Sequence, residues 1–472
     1  MNSENPNPFP PPESSSRDSR WPWFLAAVCV LIVLIAIFFP RPNSNSPTTS
    51  ASNNALWSVS GTISPGERSP RVSHDRSPAG PALTAKEIVA AKVIQFAKSR
   101  RKLAHAMAEH FKIPVPGEFE RFFDAAEAGR YEEMKAIYKS LRQQRENGTD
   151  TAWYGPQWRT IIETQGAADA AHDWPAQRLL DYGNAVLDSL RPAMIYVGGT
   201  DPGCFIPTML NDTSDGERHV VLTQNALADN TYLEYLGFLY GDRMTTLTKD
   251  DSQRAFQEYI ADAQKRLQHD QQFPNEPKQV RPGEDIKMIE NRVQVSGQVA
   301  VMAINEKMFQ MLLDKNPDAS FAIEQSFPFE STYANATPLG PIMELRVRDE
   351  QNALTRERAA QSLDYWRTTA QQIAADPEAA DSPDVRKTYS KMADDQAALF
   401  LDRQYTAEAE QGFQLAIEIC PYSPEAVFRY VNLLTGQNRL ADAVAVTESA
   451  VKAAPDYTQF RDLLEQLRKA KK

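Results

Sequence analysis

The chain has 472 residues, with 51 Lys and Arg against 62 Asp and Glu and a formal net charge of −11. That balance excludes a general nucleic-acid binder, because phosphate binding needs a basic face. Three cysteines exclude a disulfide framework, and the length suits roughly two or three ordinary domains.

Residues 1–20 are rich in Pro, Asn and Ser and read as a disordered tail. Trp21 to Phe39 (WPWFLAAVCVLIVLIAIFF) carries no charge. As a helix this run rises about 28 Å, the thickness of a bilayer's hydrocarbon core. Trp21, Trp23, Phe38 and Phe39 fall where aromatic rings settle at the two interfaces. A cleaved signal peptide ends on small residues, whereas this run ends Phe38, Phe39, Pro40, Arg41, and Cys29 has no lipobox before it. The segment is predicted to be an uncleaved transmembrane helix. Arg17 and Arg20 precede it and Arg41 follows. The positive-inside bias then favours a single-pass protein of the inner (cytoplasmic) membrane with its soluble body on the periplasmic side. Residues 40–84 keep the Pro- and Ser-rich style and read as a disordered linker.

Residues 85–174 are predicted to form a helical region. Thr84 opens a capping-box pattern (TAKE), followed by Ile88, Val89, Val93, Ile94 and Ala97 at helical spacing. A helical hairpin is expected over 118–146, turning at Gly129–Arg130. His105 and His110 stand five apart, which a metal pair on one helical face does not allow, so no metal site is expected. Trp153, Tyr154, Trp158 and Trp174 suit either a sugar-stacking platform or packing between helices and sheet. Packing is the expectation.

Between residues 175 and 350 the pattern becomes α/β. Ala193–Val197 and His219–Thr223 read as strands, and Asp229 or Asn230 as the cap of the next helix. A helix is expected over Val293–Leu313, then strands at Phe321–Ile323 and Ile342–Leu345 around an irregular loop. Strands separated by helices predict a mainly parallel sheet covered by helices, with the last two strands able to pair antiparallel at its edge. Cys204 and Cys420 fall in different regions and are expected to be free.

Residues 353–472 are helical throughout in this reading. Ala409, Phe413, Ala416 and Pro421 recur 34 residues later as Ala443, Thr447, Ala450 and Pro455. Small residues at that period let antiparallel helices approach closely, and the pattern resembles tetratricopeptide repeats. Repeat one is placed from Ser390 to Pro421 and repeat two from Pro424 to Pro455, with a closing helix through Leu467.

The middle region carries Gly198-Gly199-Thr200-Asp201-Pro202-Gly203 with Phe205 and Pro207, then the run Leu222 to Tyr232 (LTQNALADNTY). It also carries Asn316-Pro317, Phe321, Glu324, Ser326-Phe327-Pro328 and Pro338 to Ile342 (PLGPI). Together these resemble a soluble extracytoplasmic module of bacterial membrane proteins related to protein O-mannosyltransferases, a module of unknown activity. The resemblance implies a fold and an envelope setting. A single predicted span lacks the membrane-embedded transferase machinery, so glycosyl transfer is not carried over.

Ligands of open α/β sheets bind beyond the strand C-termini. Thr200, Asp201, Asn225, Asp229, Glu324 and Ser326 are therefore the candidate ligand-binding residues, set against their ordinary uses in turns and caps. The glycine run fits neither a dinucleotide fingerprint nor a P-loop. No catalytic residue, metal or cofactor is assigned. The expected function is a membrane-anchored scaffold that binds a protein or peptide through its helical repeats. The alternative is a sugar- or small-ligand-binding, or enzymatic, module acting through the strand-end crevice.

Overall fold

The computed structural model describes residues 83–147, 155–289, 292–325, 335–345 and 354–470. The expected span Trp21–Phe39 with its tail and linker, and also Trp153, Tyr154 and Ser326, lie outside the described residues. Among the described residues no helix is long and apolar enough to cross a membrane. What they form is mostly helical, sixteen helices around a small mixed sheet.

Helix α1 (Ala85–Phe111) starts at the expected capping box: the Thr84 hydroxyl accepts from the Glu87 amide, and the Glu87 carboxylate accepts from the Thr84 amide. Helices α2 (Gly117–Glu127) and α3 (Tyr131–Glu146) form the hairpin, turning through Gly129 at φ 68°. Helix α4 (Trp158–Asp173) closes a small core of Phe119, Phe122, Phe123, Met134, Leu141 and Trp158. Trp158 stacks on Tyr138, and Trp174 lies against Tyr182, so both described tryptophans of the aromatic group serve packing.

Helix α5 (Ala176–Asp188) leads into β1 (Ile195–Gly198), α6 (Asp201–Asp212), β2 (Val220–Thr223), a 3-10 turn (Gln224–Ala226), α7 (Asn230–Tyr240) and α8 (Lys249–Gln272). A hairpin of β3 (Asp285–Ile289) and β4 (Arg292–Ser296) precedes α9 (Gln298–Lys315). Then come β5 (Phe321–Glu324), β6 (Ala336–Leu339) and β7 (Ile342–Leu345). The main sheet has the order β2-β1-β5-β7-β6, with β2-β1-β5 parallel and β5-β7-β6 antiparallel.

Three expectations need correction. The sheet is mixed rather than mainly parallel, because β6 adds a second antiparallel pair where an irregular loop was expected. Its Pro338, poor in a strand interior, is tolerated because β6 is an edge. The helix expected from Val293 begins only at Gln298. Val293 and Val295 alternate in β4, and Gly297 at φ 93° separates strand from helix.

The other edge is held differently. Tyr232 and Tyr240 of α7 direct their hydroxyls at β2, accepting from the amides of Thr223 (2.7 Å) and Val221 (3.4 Å). These are the outward donors that no strand satisfies.

The C-terminal helices are α10 (Arg356–Ala375), α11 (Pro377–Asp381), α12 (Pro383–Asp402), α13 (Thr406–Ile419), α14 (Pro424–Gly436), α15 (Leu440–Ala453) and α16 (Thr458–Ala470). Pro377 and Pro383 each stand at a first helical position, where their missing donor costs nothing. Helix α12 thus starts at Pro383, before the expected Ser390. Ala409, Phe413, Ala416, Ala443, Thr447 and Ala450 are all fully buried, as close helix approach requires. The hairpin turns share one closure. Gln404 and Asn438, 34 residues apart, are left-handed, and the next amide, of Tyr405 or Arg439, bonds back five residues to Phe400 or Leu434. Arg130 and Ala125 repeat that bond at Gly129.

These helices are not a separate body. One continuous core runs from Val89 through the sheet to Leu467. Gln396 of α12 sits at the seam: its carbonyl accepts from Ser362 (2.5 Å) and the Trp366 indole (3.0 Å) of α10, while its amide donates to the carbonyls of Gly340 and Ile342, both at 3.0 Å. Replacing Gln396 by Leu strands all four partners in a buried place. The expected loss is about 3 kcal/mol, read as a lowered urea midpoint, with Gln396→Glu and its buried charge faring no better.

Candidate functional site

The ends of β1, β2 and β5 are level, since Gly198 pairs with both Thr223 and Glu324. The chain leaves β1 through Gly199 and Thr200 into α6, whose first amides point at the sheet end. Thr200 caps that helix, its hydroxyl accepting from the Gly203 amide at 3.0 Å. Such a helix start normally offers itself to an anion.

Here the anion is the protein's own. Glu324, 3% exposed, places Oε2 at 2.9 Å from the amides of both Gly199 and Thr200, and Oε1 accepts from the Thr200 hydroxyl at 2.7 Å. Burial pushes its carboxyl above the usual range, against the pull of those three donors and of Lys391. Gly203 is required beside it, because a Cβ there would lie 2.0 Å from Oε2. The Tyr196 hydroxyl and the Cys204 thiol donate to the carbonyls of Gly203 (2.9 Å) and Gly198 (3.0 Å). Burial raises the Cys204 thiol far above its ordinary value, so it is an inert packing group.

Asn225 turns its amide to the carbonyl of Gly199 at 3.0 Å, while its own Oδ1 is buried without a partner. Asp229 caps α7, accepting from the amide and hydroxyl of Thr231 at 2.8 Å, and stands 3.8 Å from Arg145. Thr200, Asn225 and Glu324 therefore do converge, but on the chain's own turn rather than on a shared open space. Asp201 differs. It is exposed at the first position of α6 and accepts no hydrogen bond among the described residues. Desolvation by its surroundings, then the charges of Asp169 and Glu324, push its carboxyl to about 6 against the pull of Arg159, a push damped by the solvent that reaches it.

Behind this rim lies a buried ionic group that sequence reasoning missed. Arg159 of α4 donates to Glu163 at 3.0 Å and to the Thr223 hydroxyl, and its guanidinium lies 4.8 Å from the Tyr232 ring centre. Glu163 also accepts from Tyr235 at 2.8 Å and lies 2.7 Å from the Arg100 Nε, an ion pair without hydrogen-bond alignment. The Arg159 and Glu163 spacing reads on sequence as a solvated i, i+4 pair, and nothing local signals burial. Asp169, raised mainly by burial, accepts from Tyr131 (2.6 Å) and Gln165 (2.9 Å) on the same side of α4. His105, free of any metal cluster among the described residues, pairs with Glu120 at 2.8 Å.

No family model matches the chain, and no curated protein or solved structure is detectably similar to it.

Because Glu324 fills the space beside Gly203, Gly203→Ala is expected to cost about 2 kcal/mol by overpacking, seen as a lower unfolding midpoint. The raised Glu324 carboxyl means the folded chain holds that proton more tightly than the unfolded one. Its contribution is thus present at acid pH and lost as pH rises through the raised value. Glu324→Gln should flatten this part of the pH–stability profile.

Proposed function

We propose that this chain is a membrane-anchored scaffold of the bacterial cell envelope that binds a protein or extended peptide through tetratricopeptide-like helices. One observation carries the reading. The strand-end polar groups are mostly consumed by their own loops, whereas α14 carries a stripe with Glu425 and Gly436 exposed and Arg429 and Asn432 half-buried between them. The 34-residue recurrence of both the buried small residues and the left-handed turns supports the repeat assignment. The uncharged run Trp21–Phe39 supports a single-pass anchor with a periplasmic body, and the likeness to the mannosyltransferase-associated module supports the envelope setting.

The client-binding face is narrower than two full repeats would give. The α12 positions 34 residues before that stripe are Lys391, Asp395, Ala398 and Asp402. The first two are spent on ion pairs with each other and with Arg429, while Gln396 and Tyr389 fix the helix to the sheet, to α10 and to Tyr182 of α5. Binding is therefore assigned to α14 and α16, with α12 acting as the mount. A second reading rests on Asp201 alone, the exposed strand-end carboxyl raised to about 6 beside Arg159 and Asp169. It makes the crevice a small-ligand or acid–base site.

Crosslinked capture of the full-length chain separates these. Asn432→Arg with Gly436→Arg adds bulk and charge on the stripe, at a half-buried position and at one where a Cβ meets nothing within 4 Å. Loss of reproducible partners with this pair, and their retention in Asp201→Asn, is the expected result. Partners that survive the arginine pair but vanish with Asp201→Asn would move function to the crevice.

A further inference from the structure

Five charged side chains meet on the facing sides of α12 and α14. Asp394 is 0% exposed and Asp395 is buried, and both carboxylates approach the same Arg429 nitrogen, Nη1, at 2.6 and 3.1 Å. Lys391 binds the second oxygen of Asp395 at 2.9 Å. The second oxygen of Asp394 has no partner. Glu425 adds a third negative charge from the first turn of α14. Around this group the neighbouring elements offer neutral contacts: Ser362 and Trp366 of α10 on Gln396, the Ala416 carbonyl of α13 on Ser390, and the Gly340 and Ile342 carbonyls beside β7. Beyond Lys391 lies Glu324, a further carboxylate, at the end of β5.

Carboxylates thus outnumber cations around a pair of acids that are themselves buried. Two adjacent acids sharing one guanidinium nitrogen cannot both be stably ionised there unless each has its oxygens matched, and Asp394 does not. We propose that Asp394 is the proton-binding element of a clasp between α12 and α14. Protonated, it holds the two helices together. Ionised, it loosens the contact between α12, which is fixed to the sheet, and α14. Burial first, with Asp395 and Glu425 adding to it against Arg429 and Lys391, raises this carboxyl to about 7, so its contribution to stability is lost between the ordinary carboxylate range, about pH 4, and about pH 7. The sign follows from linkage: a carboxyl that binds its proton more tightly folded than unfolded stabilises at the acid end of the window and loses that contribution as pH rises. The inference stands independently of the client-binding reading.

The test is the urea midpoint of the full-length chain, followed by tryptophan fluorescence at pH 4 and pH 8, for wild type, Asp394→Asn and Glu425→Gln. Asparagine keeps the shape and imitates the protonated state. It should match wild type at pH 4, exceed it at pH 8, and show a smaller fall between the two. Glu425 is exposed, so Glu425→Gln folds in any case, and removing its charge should move the wild-type transition to lower pH. An Asp394→Asn variant weaker than wild type by the same margin at both pH values would overturn the clasp, for Asp394 would then be an ionised partner of Arg429 throughout. Should that variant not fold, a Glu425→Gln profile superimposable on wild type would overturn it equally.

Discussion

The interaction on which the rest of this molecule depends is the grip of Glu324 on the turn after β1. One carboxylate, at the end of a strand, satisfies two backbone amides and a hydroxyl of the neighbouring strand's exit. It fixes the distance between β1 and β5 at their open end and orients the first turn of α6. It also fills the place where an open α/β sheet ordinarily receives a ligand's negative charge. An incoming phosphate or carboxylate would have to expel a buried, threefold-bonded group before gaining anything. The geometry is that of a binding turn, and the occupant is the chain itself.

Much of this was legible in the sequence, and unevenly so. The capping box at Thr84, the cap at Asp229, the strands at β1, β2, β5 and β7 and the 34-residue helical period all rest on local chemistry, and local chemistry is what a sequence displays. The convergence of Thr200, Asn225 and Glu324 followed from the strand-end rule alone. What they converge on did not, because the Glu324 carboxylate meets Gly199 across 125 positions of chain. The burial of Arg100, Arg159 and Glu163 was hidden for a related reason. On a helix, an Arg and a Glu four apart look the same whether water or Tyr235 and Thr223 lie opposite. Strand β6 was missed because Pro338 speaks against a strand, and only its place at the sheet margin allows it.

The C-terminal helices show how a stack of helical hairpins can be absorbed by its neighbour. Few repeats give a helical stack little core of its own. Here α12 is buried on nearly every side, receiving α13 on one flank and the sheet edge with α10 on the other. The α12–α13 hairpin is part of the globular body, and the more accessible helices begin at α14. The charge cluster beside Gln396 lies at this same seam, between the absorbed helix and the accessible one.

The two phenols above β2 have a consequence outside the single molecule. A sheet margin with free amide donors is a template on which a second copy can lay down a strand, and fibres grow from repeating that step. Tyr232 and Tyr240 occupy the donors of Thr223 and Val221 with oxygens that cannot extend a ladder. At the opposite margin, Pro338 has no amide hydrogen to offer. Among the described residues both margins thus offer fewer free donors, which disfavours strand-by-strand fusion between crowded copies of this protein.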